Sequence, residues 1–257
     1  MTQSKQQPSQ VAVVTGAGRG IGRAIALGFA SAGLAVVGSA RTQTEVDATA
    51  ASIEAQGGQA MALRCDVTKP QDITDMYARA KEKFGGIDVV VVNAGMAGER
   101  AAIADADTNL WRQVIDLNLN AAMEQVHQAI PYLRARGGGK IIFIGSGVGR
   151  NAMLGTSAYG CSKAALAMLN RVLAQELRAD NIAVNELIPG PVRTQLTGVP
   201  EEHAGRDDEA SPILTVPGEW TKNPEDVVPL AMFLLNLPND GPSGQSYSLN
   251  ARDLGRV

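Results

Sequence analysis

The 257-residue chain has only two cysteines, two histidines and 4% aromatic residues, and each scarcity excludes a class of chemistry. Cys65 and Cys161 stand in apolar settings far from any C-x-x-C spacing, so neither a disulfide framework nor a structural zinc site can be assembled from them. His127 falls in a helical-looking pattern and His203 in an acidic loop. Neither is read as catalytic, which leaves Ser-His-Asp and Cys-His hydrolysis poorly supplied, and no metal site is expected. The formal charge of −3 comes from interspersed acidic and basic residues without a basic block, so nucleic acid is not expected as a partner. The polar leader, residues 1–9, lacks the apolar core of a signal peptide, and no apolar run approaches the ~20 residues of a membrane span. A soluble, cytoplasmic protein with no membrane partner is the expectation.

What the chain has in quantity is short apolar runs, at 11–14, 35–38, 60–64, 89–92, 141–144, 183–187 and, more weakly, 245–249. Helical periodicity fills most gaps between them, as in Ile21-Ile25-Phe29, Ile73-Met76-Ala80, Leu110-Val114-Leu117 and Ala164-Met168-Val172. This alternation predicts βαβ units and an α/β fold with a parallel sheet of seven strands. A chain of this length buries roughly three quarters of its unfolded surface, so a single core suffices. No internal boundary or repeat interrupts the rhythm until residues 194–224, rich in Pro, Gly, Glu and Asp and too long for an ordinary connection. That segment is read as a substrate loop; a surface excursion is the alternative.

Two constellations carry chemistry. Thr15-Gly16-Ala17-Gly18-Arg19-Gly20-Ile21-Gly22 lies between the first strand and an amphipathic helix, where backbone N–H groups and the helix dipole can hold a pyrophosphate. Its spacing is T-G-x-x-x-G-I-G and not G-x-G-x-x-G, because Ile21 takes the place of the last glycine. Farther on, Tyr159 and Lys163 at i and i+4 share a helix face, where an ammonium can lower the phenol below its usual ~10 and suit it to proton transfer. Ser146 follows the fifth strand at the carboxyl edge where open parallel sheets place ligands. This pattern reads as a nicotinamide-dependent oxidoreductase.

Together with Asn93-Ala94-Gly95, Asn118 and Pro189-Gly190, these motifs resemble the classical short-chain dehydrogenase/reductase family, in order and interval, over nearly the whole chain. The resemblance implies one Rossmann-type doubly wound domain over residues 1–257, with a seven-stranded parallel sheet flanked by helices. It implies Tyr159 as general acid or base, Ser146 as a second hydrogen-bond partner of the carbonyl, and Lys163 on the nicotinamide ribose. Asn118 would anchor a water beside the lysine; Asn120 is a competing register, which the spacing after Trp111 disfavours. Cofactor contacts are implied at Gly16, Gly20, Ile21 and Gly22, at Asp66 and Val67 for the adenine, at Asn93, Ala94 and Gly95, and at Pro189, Gly190, Val192 and Thr194 for the nicotinamide. A turn or cap role for Asp66 is the competing reading.

The second strand ends Gly38-Ser39-Ala40-Arg41 with no carboxylate to repel a 2′-phosphate, and Arg19 and Arg41 could clamp one, so NADP(H) is preferred over NAD(H). Met96, Val148, Met153, Leu154, Pro191, Leu196 and Trp220 are read as an apolar pocket wall. They favour a small or cyclic ketone and its secondary alcohol, with a 3-oxoacyl thioester as alternative and Arg134 and Arg136 as candidate docking residues. An idle NADP-binding redox sensor or scaffold is the alternative from another class. The family's terminal Asp-Gly-Gly is absent from the C-terminus. A homotetramer built on the helices carrying Asn118 and Tyr159 is expected.

Overall fold

In a computed structural model, residues 10–197 and 220–250 are described. Seven strands form one sheet, all parallel, in the order β3-β2-β1-β4-β5-β6-β7. They are β1 (Val11–Thr15), β2 (Ala35–Ala40), β3 (Gln59–Arg64), β4 (Val89–Val92), β5 (Gly139–Ile144), β6 (Ile182–Ile188) and β7 (Ser246–Ser248). Every residue of β1, β4, β5 and β6 is buried, as expected of parallel strands covered on both faces. A buried valine in such a strand contributes on the order of 1.5 to 3 kcal/mol.

Among the described residues, seven α-helices pack in two layers. They are α1 (Gly20–Ser31), α2 (Gln43–Ala55), α3 (Pro70–Phe84), α4 (Thr108–Ile115), α5 (Ala121–Ala135), α6 (Ser157–Glu176) and α7 (Val228–Asn236). Ile25 and Phe29 of α1, Ile53 of α2 and Leu234 of α7 join Ala12 and Val14 on one face of the sheet. Tyr77 of α3, Val126 of α5 and Leu166 of α6 join Val11 and Val13 on the other. The strand alternation therefore sorts into a doubly wound α/β sandwich, the expected Rossmann-type architecture.

The chain winds outward from β1 to β3 and then crosses back to β4, so a crevice opens where β1 and β4 diverge at their carboxyl ends. Between α4 and α5 the residues Asp116–Asn120 form a π-helical turn, which the single helical period of this stretch does not announce. Cys65 is buried as expected, but Cys161 is exposed on α6, because only part of that helix faces the core. Among the described residues no helix is long and apolar enough to cross a membrane. No cluster that could hold a metal ion occurs among them either. The leader 1–9, His203 with residues 198–219 of the expected substrate loop, and residues 251–257 lie outside the described residues.

Candidate active site

A cleft of about 890 Å³ occupies the carboxyl edge of the sheet. Its floor begins at the glycine turn. Gly16 adopts φ +66 with Ala94 and Asn93 pressed against it, and a Cβ on Gly22 would overlap the Gly16 carbonyl oxygen, so both positions require glycine. Asn93 locks the crevice: its Nδ2 donates to the Thr15 carbonyl at 2.8 Å, and its N–H donates to Thr15 Oγ1 at 3.2 Å. α1 starts without a side-chain cap and with no acidic residue in its first turn. Gly16, Gly20, Ile21 and Gly22 line the cleft, as do Asn93, Ala94 and Gly95. A helix start without acidic side chains, beneath a turn that requires glycine at Gly16 and Gly22, is the geometry that accepts a pyrophosphate, so these residues fit a dinucleotide.

At the end beside β2 and β3, Arg19, Arg41 and Val67 line the cleft. Here the absence of a carboxylate expected from the end of β2 is corrected: Glu45 of α2 also lines the cleft, and its Oε1 accepts from Arg19 Nη1 at 2.9 Å. The helix after β2 folds back over the glycine turn, bringing in an acid that the strand end does not contain. Asp66 does not line the cleft; its Oδ1 accepts from Thr68 Oγ1 at 2.7 Å and from the Thr68 N–H at 3.1 Å. The turn reading of Asp66 thus describes what its side chain does in this structure.

The residues of the second constellation converge at the middle of the cleft. Ser146 ends the β5 segment, Tyr159 and Lys163 come from the first turns of α6, and all three line the cleft. Tyr159 and Lys163 are each 6% exposed. Burial pushes the Tyr159 phenol above its usual 10.0, and a hydrogen bond with Ser146 opposes that rise. The lowering expected from Lys163 is thus not what this structure shows. The lysine Nζ donates to the Ile144 carbonyl at 2.7 Å and stands 5.8 Å from the centroid of the Tyr159 ring. Burial lowers Lys163 itself to about 8, with Glu186 opposing.

Asn118 sits inside the π-helical turn, 2% exposed and just behind the cleft. Its Oδ1 accepts from the Met96 N–H at 2.9 Å, while Nδ2 donates to the Met96 carbonyl at 2.8 Å and to Ser162 Oγ at 3.1 Å. The widened turn turns this amide toward the Met96 backbone, which in turn presents the Met96 side chain as cleft wall. Asn120 instead donates to Asp116 at the surface.

Pro189, Gly190, Val192 and Thr194 line the far side, where the Val192 to Lys222 bridge holds the start of the 194–224 segment to its end. Met96, Val148, Met153, Pro191 and Leu196 form the expected apolar wall. Trp220 and Leu154 do not join it. Trp220 is 53% exposed and stacks over Lys222 at 4.4 Å, and Leu154 is 90% exposed because its neighbour Met153 takes the inward position. Gln195, from the expected substrate loop, lines the cleft; Asn151 and Asn250 also line it and were given no role by the sequence, since their loops carry no periodicity or motif.

A family model for short chain dehydrogenases matches residues 10–204. The short-chain reductase protein NovJ of Streptomyces niveus is 38% identical over 200 residues, covering 78% of this chain and 76% of that protein. The crystal structure of a 3-ketoacyl-ACP reductase from Sinorhizobium meliloti 1021 superposes with a TM-score of 0.81 at 34% identity, covering 93% of this chain and 96% of that one. An actinorhodin polyketide ketoreductase solved with NADPH superposes with a TM-score of 0.83 at 27% identity, covering 95% and 97%.

Proposed function

The chain belongs to the short-chain dehydrogenase family, and on that premise we propose that it is an NADP(H)-dependent oxidoreductase interconverting a ketone and a secondary alcohol. The observation that carries the reading is the meeting of Ser146 with the buried Tyr159 and Lys163 on one stretch of cleft, beside a glycine turn that fits a dinucleotide. Bound there, the nicotinamide supplies or accepts the hydride. Ser146 Oγ and the Tyr159 hydroxyl donate to the carbonyl oxygen and polarise the C=O bond. In reduction the Tyr159 proton passes to the oxygen as negative charge develops on it; in oxidation the tyrosine takes the alcohol proton. In this reading Lys163, its Nζ 5.8 Å from the Tyr159 ring centroid, would hold the nicotinamide ribose and stabilise the phenolate left after proton transfer, while burial keeps the resting phenol above its usual value. Asn118 steadies the wall at Met96 and, in this reading, the water behind Lys163.

Arg19 and Arg41 at the mouth favour a 2′-phosphate, and the NADPH-bound ketoreductase supports the same choice. Glu45 works against it and tempers the preference over NAD(H). The apolar wall favours a small or cyclic ketone. A 3-oxoacyl thioester is supported by the 3-ketoacyl-ACP reductase neighbour. Arg134 and Arg136 do not support it. They pair with Asp180 at 2.7 Å and Asp88 at 2.8 Å, beside the amino ends of β6 and β4, on the edge opposite the cleft. Against an idle redox sensor stands the intact catalytic set. A homotetramer belongs to this reading, supported by the exposed Met123 of α5 and Met168 and Val172 of α6.

The test is nicotinamide absorbance decay with NADPH and, separately, NADH, against cyclic ketones, diketones, quinones and 3-oxoacyl thioesters. Turnover with NADPH on an apolar ketone that disappears in Tyr159→Phe is the expected result. Binding of NADPH without turnover on any of them would favour the sensor instead.

A further inference from the structure

β6 is buried along its whole length, yet its fifth residue is an acid, Glu186, whose side chain is 1% exposed. A buried carboxylate persists only where charge partners and hydrogen bonds answer its lost hydration. Arg150 Nη2 donates to Glu186 Oε2 at 2.7 Å, and Ser246 Oγ of β7 donates to the same oxygen. Oε1 makes no hydrogen bond among the described residues and lies against Gly145, where a Cβ would overlap it. Gly145 links Ile144, whose carbonyl accepts from Lys163, to Ser146. The carboxylate thus stands directly behind the backbone that carries Ser146 and accepts the hydrogen bond of Lys163.

We propose that Glu186 is a positioning residue for the reaction, the buried counter-charge of the Lys163 ammonium, with Arg150 setting how much of that charge the lysine feels. The inference rests on the reading of Lys163 given above. Glu186 is the charge that opposes the effect of burial on Lys163. Among the described residues, the titratable groups facing the lysine are Tyr159 on its own helix and Glu186 on β6; those facing Glu186 are Lys163 and Arg150. Ile144 and Gly145 from β5 and its end, and Ser246 from β7, bring no charge to the cluster. Arg150 neutralises part of the carboxylate, and it also ties the loop carrying Val148 and Met153 to β6 and β7.

Two substitutions that break the same ion pair should therefore move Lys163 in opposite directions. Glu186→Gln removes the counter-charge and shifts the lysine titration, and the alkaline limb of kcat, to lower pH by of order one unit. Arg150→Gln unmasks the carboxylate and shifts both to higher pH. The readouts are the pH profile of kcat on the reduced carbonyl and, without turnover, the 13C NMR titration of lysine-labelled protein, with Lys163→Arg assigning the signal. If Glu186→Gln does not fold because Arg150 is left without its partner, the double variant Arg150→Gln, Glu186→Gln takes its place, with a smaller downward shift expected, since the Arg150 charge is removed as well. Equal or absent shifts in the two single variants, as a purely structural pair would give, overturn the proposal. Opposite NMR titrations without turnover on any carbonyl uphold Glu186 as the counter-charge of Lys163 and count against the oxidoreductase reading instead.

Discussion

Replacing Lys163 by methionine removes a buried ammonium, and the structure sets the pH dependence that this substitution should erase. Lys163 titrates at about 8 in the folded protein against 10.5 for an unhindered lysine. A lowered folded value means that the unfolded chain binds more protons between these limits, so stability rises with pH there. The sign follows: the stabilisation is complete above 10.5 and is lost as pH falls through 8, where the lysine must be charged in both states. A difference of this size corresponds to about 3 kcal/mol in full, of which about 2 kcal/mol falls between about pH 7 and pH 10. Urea unfolding of the wild type and Lys163→Met, followed by tryptophan fluorescence of Trp111 and Trp220, gives both stabilities at each pH. The wild type should gain about 2 kcal/mol relative to the variant between those pH values. Parallel stability curves would show that Lys163 is not held as a desolvated ammonium and would refute the electrostatic account of the site.

Gly22→Ala should abolish NADPH binding in a fluorescence titration, since the added methyl overlaps the Gly16 carbonyl; retained affinity would mean the turn is not the pyrophosphate cradle. Glu45→Gln should tighten NADPH about fivefold while leaving NADH nearly unchanged, because it removes a carboxylate beside Arg19. Weaker NADPH binding would instead assign Glu45 to orienting the arginine. Tyr159→Phe should lower kcat by about 100- to 10,000-fold with the NADPH dissociation constant little altered. Asn118→Ala leaves the Met96 N–H and carbonyl without their partner and should reduce stability by about 2 kcal/mol in urea.

The sheet was legible because β1, β4 and β5 are apolar runs that a doubly covered strand requires. β7 was faint because Ser246 and Tyr247 are only partly buried, Ser248 is exposed, and the three carry little pattern. The proposed catalytic residues were legible through spacing along one helix and one strand end, where sequence distance translates into spatial distance. Glu45 was missed because its effect depends on α2 folding back over Arg19, a tertiary contact across 26 residues. Glu186 did carry a signal, a lone charge within the apolar run at 183–187, but its partner Arg150 lies 36 residues earlier. The π-helical turn at Asn118 shifts hydrogen-bond register without changing composition, so nothing in the local pattern marks it.

The most direct test of the central claim is isotopic. NADPH deuterated at both C4 positions is incubated with the enzyme and a ketone that supports turnover, and the product alcohol is analysed by mass spectrometry and NMR. Direct hydride transfer predicts one deuterium at the carbinol carbon and none at the neighbouring carbons. Product alcohol without deuterium at that carbon would contradict the account.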